Sequence, residues 1–419
     1  MGNPAIHSQS ERPERTGPQR TGPGQTGTGQ TGQGAAGSQA LWLERLTVIG
    51  FRNFAQSELR CDARPVVLLG ANGSGKTNLL EAISLLAPGR GLRRARLGDL
   101  TRRQPGNSPA HDGAWAVSAR VNTPQGPRDL GTGLDPANET GRERRLLKLD
   151  GEFVSSQQAL GEVVSAVWVA PHMDRIFQES PSSRRRFLDR LVYGFDPAHA
   201  GRIAAYEHAM RERARLLRAQ QGDPNWLGGL ERTMAEKAVA IAAARRSLVS
   251  RLAAACKETH GAFPAVGLAL VGDAESWMDE SPAVQVEERL LQRLADCRAQ
   301  DAETGGAACG AHRSDLAASD LERDMPAAFC STGEQKALLL SLVMAHTRLL
   351  ALERGAGPLL LLDEVAAHLD AGLRAALYDS ILDLGVQAWM SGTDSALFSA
   401  LGQEAQRFHL REGLVLREA

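Results

Sequence analysis

Lysine is scarce in this chain, since 48 residues are Lys or Arg and only five of them are lysine. One of the five, Lys76, stands in Gly70-Ala71-Asn72-Gly73-Ser74-Gly75-Lys76-Thr77, which fits the pattern G-x-x-x-x-G-K-[ST]. Each residue type there has a use. Gly70, Gly73 and Gly75 let backbone N–H groups turn inward around phosphate oxygens. A helix beginning near Lys76 would aim its positive end at the same anion. Lys76 adds a point charge for β and γ phosphates, and Thr77 a hydroxyl for Mg²⁺. The other half of such chemistry is carboxylate, and "LLLLDE" supplies it. Four leucines would bury a strand and place Asp363 at its carboxyl end, where it can hold Mg²⁺ through water beside Thr77. Glu364 follows as the general base for an attacking water.

The elements around these residues agree with that chemistry. Val66–Leu69 are apolar and partly β-branched, as a buried strand requires, while Leu79, Leu80, Ile83 and Leu86 recur at helical spacing. The loop therefore has a strand before it and a helix after it, which a chance glycine-rich turn would lack. Lys76 and Asp363 lie 287 residues apart. They must meet at one phosphate, so all that lies between is inserted into one nucleotide-binding fold.

A third piece stands upstream of the acidic strand. "STGEQ", Ser331 to Gln335, opens a helix, and a helix N-terminus preceded by small residues can hold an anion. One domain already has its phosphate loop, so this second site would serve a nucleotide held by another subunit. A plain Ser-Thr helix cap is the alternative, and it stays open.

Composition bounds the rest. The chain has 419 residues, enough for two or three domains, and 42% are hydrophobic. The net charge of −1 carries no global nucleic-acid signal, so any DNA contact must come from a local patch. The arginines of such a patch would be Arg93, Arg94, Arg96, Arg102 and Arg103, or Arg184 to Arg186, with solvated or paired charge the competing reading. The five cysteines, Cys61, Cys256, Cys297, Cys309 and Cys330, include no C-x-x-C pair, which points to reduced thiols in a cytoplasmic protein. No run reaches transmembrane length, and the expectation is no membrane partner. Residues 1–40 repeat Thr and Gly with Pro and Gln and read as a disordered extension.

The expected order is as follows. The first part of the ATPase lobe, 41–181, carries the phosphate loop and a small antiparallel sheet built from "AWAVSARV", "RRLLKLDGEFV" and "SAVWVAP" and ending near Pro171. An inserted helical lobe, 182–304, holds an antiparallel pair of long helices around "GDPNW", about thirty residues a side and roughly 45 Å long. The second part, 305–419, carries "STGEQ", the acidic strand, a further strand at "VQAWMSGTD" and a terminal hairpin at Glu412-Gly413. The fold class is α/β, with a mixed sheet.

This order of motifs resembles the ABC-type ATPase heads of the SMC and DNA-repair class. Within it, "FRNF" (51–54), the trailing Asn78, "SPSSRRRFLDRLV" (180–192), "GAHRSDL" (310–316), "STGEQK" (331–336) and "LLLLDEVAAHLD" (359–370) resemble RecF-family blocks in RecF-family order, over about residues 41–415. The resemblance implies a bacterial recombination mediator that hydrolyses ATP slowly with Mg²⁺. It implies dimerisation with ATP on DNA at single-strand gaps, and action with RecR and RecO to help RecA load. By the same likeness Asn53 would join the nucleotide site. Ser331, Gly333 and Gln335 would reach the γ-phosphate of the opposite subunit, and Asp370 would lie in a loop crossing the dimer interface. There are departures. "VAPHMD" (169–174) stands where many ABC heads carry a Mg²⁺-sensing glutamine, and "SGTD" (391–394) where they carry a histidine. A structural DNA tether would need arms of hundreds of residues, and an OLD-type nuclease an acidic domain after the ATPase. A transporter subunit would need a membrane-coupling surface.

Overall fold

The computed structural model describes Gly2 and residues 41–103, 113–135, 143–219, 223–257 and 262–418. The Thr-Gly extension expected over residues 1–40 lies outside the described residues, Gly2 apart.

Alternating sequences build the first sheet. β1 (Trp42–Phe51) and β2 (Phe54–Arg60) form a tight antiparallel hairpin whose turn is Arg52-Asn53. β3 (Val66–Leu69) then leaves for a different sheet and leads into α1 (Lys76–Ser84). β4 (Ala116–Thr123), β5 (Gly126–Asp135), β6 (Arg144–Leu149) and β7 (Glu152–Phe153) complete the first sheet in the order β2-β1-β4-β5-β6-β7. Every pairing in it is antiparallel. The Asp150-Gly151 turn between β6 and β7 is where the sequence expects it. Asp150 and Gly151 both take positive φ there.

Four strands of the second sheet, β3 and those at Ala166–Val169, Leu359–Leu362 and Ala388–Gly392, are runs with no alternation, because both faces of the sheet are covered there. After α2 (Gln157–Val163) comes β8 (Ala166–Val169), buried at all four positions. The sequence expectation that "SAVWVAP" closes the antiparallel sheet is corrected here: β8 pairs in parallel with β12 (Leu359–Leu362). The reason is visible in its composition, since a strand with no polar face suits a doubly covered parallel sheet.

Long helices follow. α3 (Pro181–Phe195) precedes α4 (His199–Ala219, 21 residues) and α5 (Pro224–Lys257, 34 residues). Descending α4 residues meet ascending α5 residues. Leu216 packs near Leu227, Arg213 bonds Glu231, and Tyr206 shares a cluster with Met234 and Ala238. The pair is therefore antiparallel, as the break between the helices predicts, but its first arm has 21 residues where the sequence pattern suggests about thirty. Arg245 of α5 grips Asp189 of α3 through two hydrogen bonds of 2.8 and 2.9 Å, and His199 adds a third contact at 2.9 Å. Burial works to raise the Asp189 carboxyl, but Arg245 and His199 overcome it and hold it down at about 2. Apolar side chains of α3 and of the C-terminal part of α5 join the main core, while Tyr206, Met234 and Trp277 belong to a separate cluster.

β9 (Val266–Val271) is followed by α6 (Asp273–Glu280), α7 (Ala283–Asp296) and α8 (Arg298–Thr304). β10 (Asp315–Asp320) pairs with β9 and with β11 (Met325–Pro326) in a three-stranded antiparallel sheet. α9 (Thr332–Arg354) runs through the main core and leads to β12. α10 (Ala371–Asp383), β13 (Ala388–Gly392) and the hairpin β14 (Gln406–Arg411) to β15 (Leu414–Arg417) complete the second sheet, ordered β15-β14-β3-β13-β12-β8. All its pairings are parallel except the terminal hairpin.

Buried side chains tie the two large sheets, Ser57 of β2 by donating to Gly413 O at 2.8 Å and Gln387 by a fuller set of bonds. Gln387 accepts from Leu43 N at 2.9 Å and donates to Leu43 O at 3.1 Å and Asp62 O at 2.7 Å. α1 packs between β1 of the first sheet and β8 and β13 of the second. The carboxyl ends of β3, β13, β12 and β8 thus share one edge, where open α/β sheets bind ligands.

Candidate nucleotide site

The phosphate loop leaves β3 and turns into α1 through backbone that most residues resist. Gly75, the N-cap of α1, sits at φ +112°, and Gly70 and Gly73 also have positive φ. Space forbids a larger residue at two of these positions. A Cβ on Gly70 would meet Leu410 O at 2.6 Å, and one on Gly75 the Asn53 carboxamide at 2.5 Å. Gly73 has open space instead. Asn53 holds the loop from the β1–β2 turn by donating to Ser74 O at 3.1 Å and accepting from Asn78 Nδ2 at 2.8 Å.

Lys76 is 4% exposed, and its ammonium donates to Gly70 O at 2.8 Å and Ala71 O at 3.1 Å. Burial lowers its pKa, against the nearby charges of Glu364 and Asp363, which raise it. The cation is therefore poised inside the loop, beside two acids. Ser74 Oγ is buried without a hydrogen-bond partner among the described residues. A glycine cradle, an enclosed ammonium and a buried unpaired hydroxyl fit a polyphosphate.

Sheet register delivers the carboxylates. β12 lies beside β13, with Leu362 opposite Met390, so Asp363 comes next to Ser391. Asp363 Oδ1 accepts from Thr77 Oγ1 at 2.9 Å and from Ser391 Oγ at 2.7 Å. A hydroxyl and a carboxylate at this separation fit a shared Mg²⁺, with Thr77 and Asp363 as the residues to hold it. Among the described residues no group of three or more His, Cys, Asp or Glu could hold a metal. Hard-cation binding here would thus rest on few protein oxygens, as Mg²⁺ bound with nucleotide phosphates does. Glu364 has φ +53°, unusual for a non-glycine residue, and its backbone N–H donates to Ser391 Oγ at 2.8 Å. Ser391 thus orients both acids. It lies in "SGTD", at the position where many ABC heads carry histidine, and a lone serine there gives no signal in sequence.

Two further contacts escaped sequence reading. Glu81 of α1 takes a two-pronged bond from Arg52 (2.9 and 3.0 Å) and a bond from Arg93 at 3.2 Å, while Arg93 also donates to Asn78 Oδ1 at 2.6 Å. This chain of contacts links the β1–β2 turn, α1 and the basic loop. In "VAPHMD", Asp174 receives Lys336 Nζ of α9 at 3.3 Å. Burial lowers the pKa of Lys336, against Asp174 and Glu364, which raise it. The helix opened by "STGEQ" therefore reaches the acidic edge of its own subunit through Lys336.

"STGEQ" itself is not brought into that edge. Ser331 caps α9, and Glu334 returns to Ser331 N at 2.7 Å, forming a capping box. Ser331 and Gly333 are exposed, and Phe329 beside them is 79% exposed. Gln335 does not share that surface. One turn into α9 it falls on the buried side, where Nε2 donates to Cys330 O at 2.8 Å. Asp370 is an exposed N-cap of α10, accepting from Leu373 N at 2.9 Å. Of the basic candidates, Arg184 pairs with Asp315 at 2.6 Å and Arg185 donates to Ser314 O at 2.6 Å, so both are structural. Arg94, Arg96 and Arg186 are exposed. Among the described residues no helix is long and apolar enough to cross a membrane.

Comparison with known proteins accords with this geometry. Residues 42–400 match the family model described as the RecF/RecN/SMC N terminal domain. The DNA replication and repair protein RecF of Rhizobium johnstonii is 44% identical over 375 residues, covering 89% of this chain and 98% of the relative. That of Agrobacterium fabrum is 46% identical over 373 residues, covering 88% and 97%. A solved structure of the recombination mediator protein RecF with ATP, in the RecFOR pathway, superposes with a TM-score of 0.76 at 21% identity, covering 92% of this chain and 99% of that one. At that identity the likeness speaks for the fold, an ABC-type ATPase head. The chain belongs to the RecF family of DNA replication and repair proteins.

Proposed function

We propose that this chain is an ATP-dependent DNA-binding protein of recombinational repair. It dimerises with ATP and Mg²⁺ at gapped DNA, hydrolyses ATP slowly when DNA is bound, and assists RecA loading together with RecO and RecR in the cytoplasm. The observation that carries the reading is the 2.9 Å contact between Thr77 and Asp363, which joins loop and acids across 286 residues of sequence. Backbone N–H groups of residues 70–75 surround the phosphates, and Lys76 neutralises them. Thr77 and Asp363 hold Mg²⁺, which offsets phosphate charge when bound. Glu364 accepts the proton of the attacking water, and Ser391 fixes its backbone.

The dimer half of the proposal draws on the exposed face at Phe329, Ser331 and Gly333. A helix N-terminus with small residues and an exposed aromatic suits a face completed by a second copy, with Asp370 at its rim. Gln335 contributes there after its carboxamide turns outward, or else shapes the start of α9 from within. Relatives at 44–46% identity that carry a DNA replication and repair name support DNA as a partner.

Sizing the chain with ADP and with ATP, with and without gapped duplex, tests the reading. A dimer that forms in ATP and is favoured by gapped DNA is the expected result. A monomer under all of these conditions overturns it.

A further inference from the structure

Beside the nucleotide site lies a cleft of about 850 Å³ whose chemistry the ATPase does not use. Its walls are the loop after α1, the loop before α2, the segment after β8, α3 and the start of α4. Arg90, Arg94, Arg186 and Arg190 all line it. Among the described residues no ion pair is made by any of these arginines. Arg94 takes φ +56° to reach its place, and its charge is felt by Arg186 and Arg90. Arg190 lies over the Trp168 ring at 4.2 Å, so its planar fork is held in advance.

Behind the wall, Arg190 Nε and Trp168 Nε1 are buried without an acceptor among the described residues, while another Arg190 nitrogen donates to Trp168 O at 3.3 Å. The acids in the walls do not cancel the arginines. Among the described residues of the walls, Asp189 is committed to Arg245, while Glu207 and Glu179 offset the four arginines in part.

We infer that this cleft is a second phosphate site, taking the phosphomonoester of a nucleotide. Clustered guanidiniums match a dianionic phosphate, and the volume admits the attached sugar and base. Walls on several sides suit a strand terminus or a free nucleotide, not a backbone passing through. The site is joined to the ATP loop by Arg93, which lines the cleft and donates to Asn78 at 2.6 Å. The strand-terminus form of this inference rests on the proposed DNA binding.

The test uses the full chain saturated with a non-hydrolysable ATP analogue, so that the phosphate loop is filled and does not compete for the probe. Short single strands of thymidylate with and without a terminal phosphate are compared, along with free dTMP, by fluorescence anisotropy or its competition. The phosphorylated strand should bind at least about tenfold more tightly than the hydroxyl form, in line with a charged hydrogen-bonding pair. Adding Arg94→Glu and Arg186→Glu, both at exposed positions, should abolish that preference. Equal affinity for the two strands, or a preference that survives both substitutions, overturns the inference. A wild-type chain that binds gapped duplex yet ignores terminal phosphate keeps the proposed function and sinks the cleft. A chain that binds no DNA but takes up dTMP in an Arg94- and Arg186-dependent way keeps the cleft and sinks the proposed function.

Discussion

The phosphate loop and the "STGEQ" segment are both helix starts built on small residues, and the chain finishes them in opposite ways. At Lys76 everything converges: the ammonium is enclosed, Thr77 meets Asp363 and Asn53 clasps the loop from another sheet. At Ser331 the helix start is closed by its own Glu334, which also pairs with Arg323, and its outer face is left to solvent beside Phe329. A helix N-terminus can hold an anion in either place. The difference teaches that the phosphate loop is enclosed within one chain, whereas the start of α9 has surface and dipole but no enclosing wall. Lys336 is the bridge between them. It belongs to the helix of the open site and ends at Asp174, next to the enclosed one.

The contrast breaks most sharply at Glu364. Glu364→Gln keeps the shape of the site but cannot take a proton, so hydrolysis should fall about 100-fold or more while ATP stays bound. Single-turnover hydrolysis alongside nucleotide retention measures both. Normal turnover would leave Glu364 a structural acid. Lys76→Ala should act on binding instead, weakening ATP on the order of 100-fold through loss of a charged hydrogen-bond donor. Calorimetric titration with ATP reads this directly, and undiminished affinity would remove Lys76 from the nucleotide site.

Ser331→Arg examines the other region. It puts a long cation where a second subunit's phosphate and loop should fit. ATP should still bind, because Lys76 is untouched, but dimer formation and hydrolysis should drop at least about tenfold through steric overpacking at the interface. Mixing this variant with Lys76→Ala sharpens the result. One composite site in a mixed dimer would have an intact phosphate loop and an intact Ser331, so ATPase should partly return. No recovery, together with normal dimerisation of Ser331→Arg alone, would reduce the segment to a helix cap.

Much of this contrast can be read from residues alone, and the reasons are physical. β3 and β12 are buried on both faces, so composition betrays them, and the motif spacing marks Lys76, Thr77, Asp363 and Glu364. β5 shows little because only Leu130 and Thr132 of its ten residues are buried, which leaves no clear alternation. β10 is similarly polar and is fixed by pairing with β9. The membership of β8 in the parallel sheet depends on a partner nearly two hundred residues away in sequence. Ser391 gains its role from register, and Lys336 from a contact 162 residues distant. Local pattern records which face is buried, but it does not record which strand or charge will be the neighbour.

The smallest expected effect separates cap from ligand at Ser331. Its hydroxyl accepts from Glu334 N at a long 3.4 Å, while the stronger half of the box is the 2.7 Å bond from Ser331 N to Glu334. Ser331→Ala removes the weaker half alone, so stability should fall by about 0.5–1 kcal/mol, the low side of an N-cap loss. Thermal or urea unfolding of the monomer in ADP would record that change. ATP affinity of the monomer should not move, since the loop that holds it lies on another element. Dimer affinity in ATP is the discriminating quantity. If the hydroxyl also meets a phosphate of the second subunit, dimerisation should weaken beyond what the loss of cap stability explains, and the long cap distance shows that the hydroxyl is not strongly committed within its own helix. If dimerisation instead follows stability alone, Ser331 serves its own chain, and the open site must be closed by Gly333 and the backbone at the start of α9.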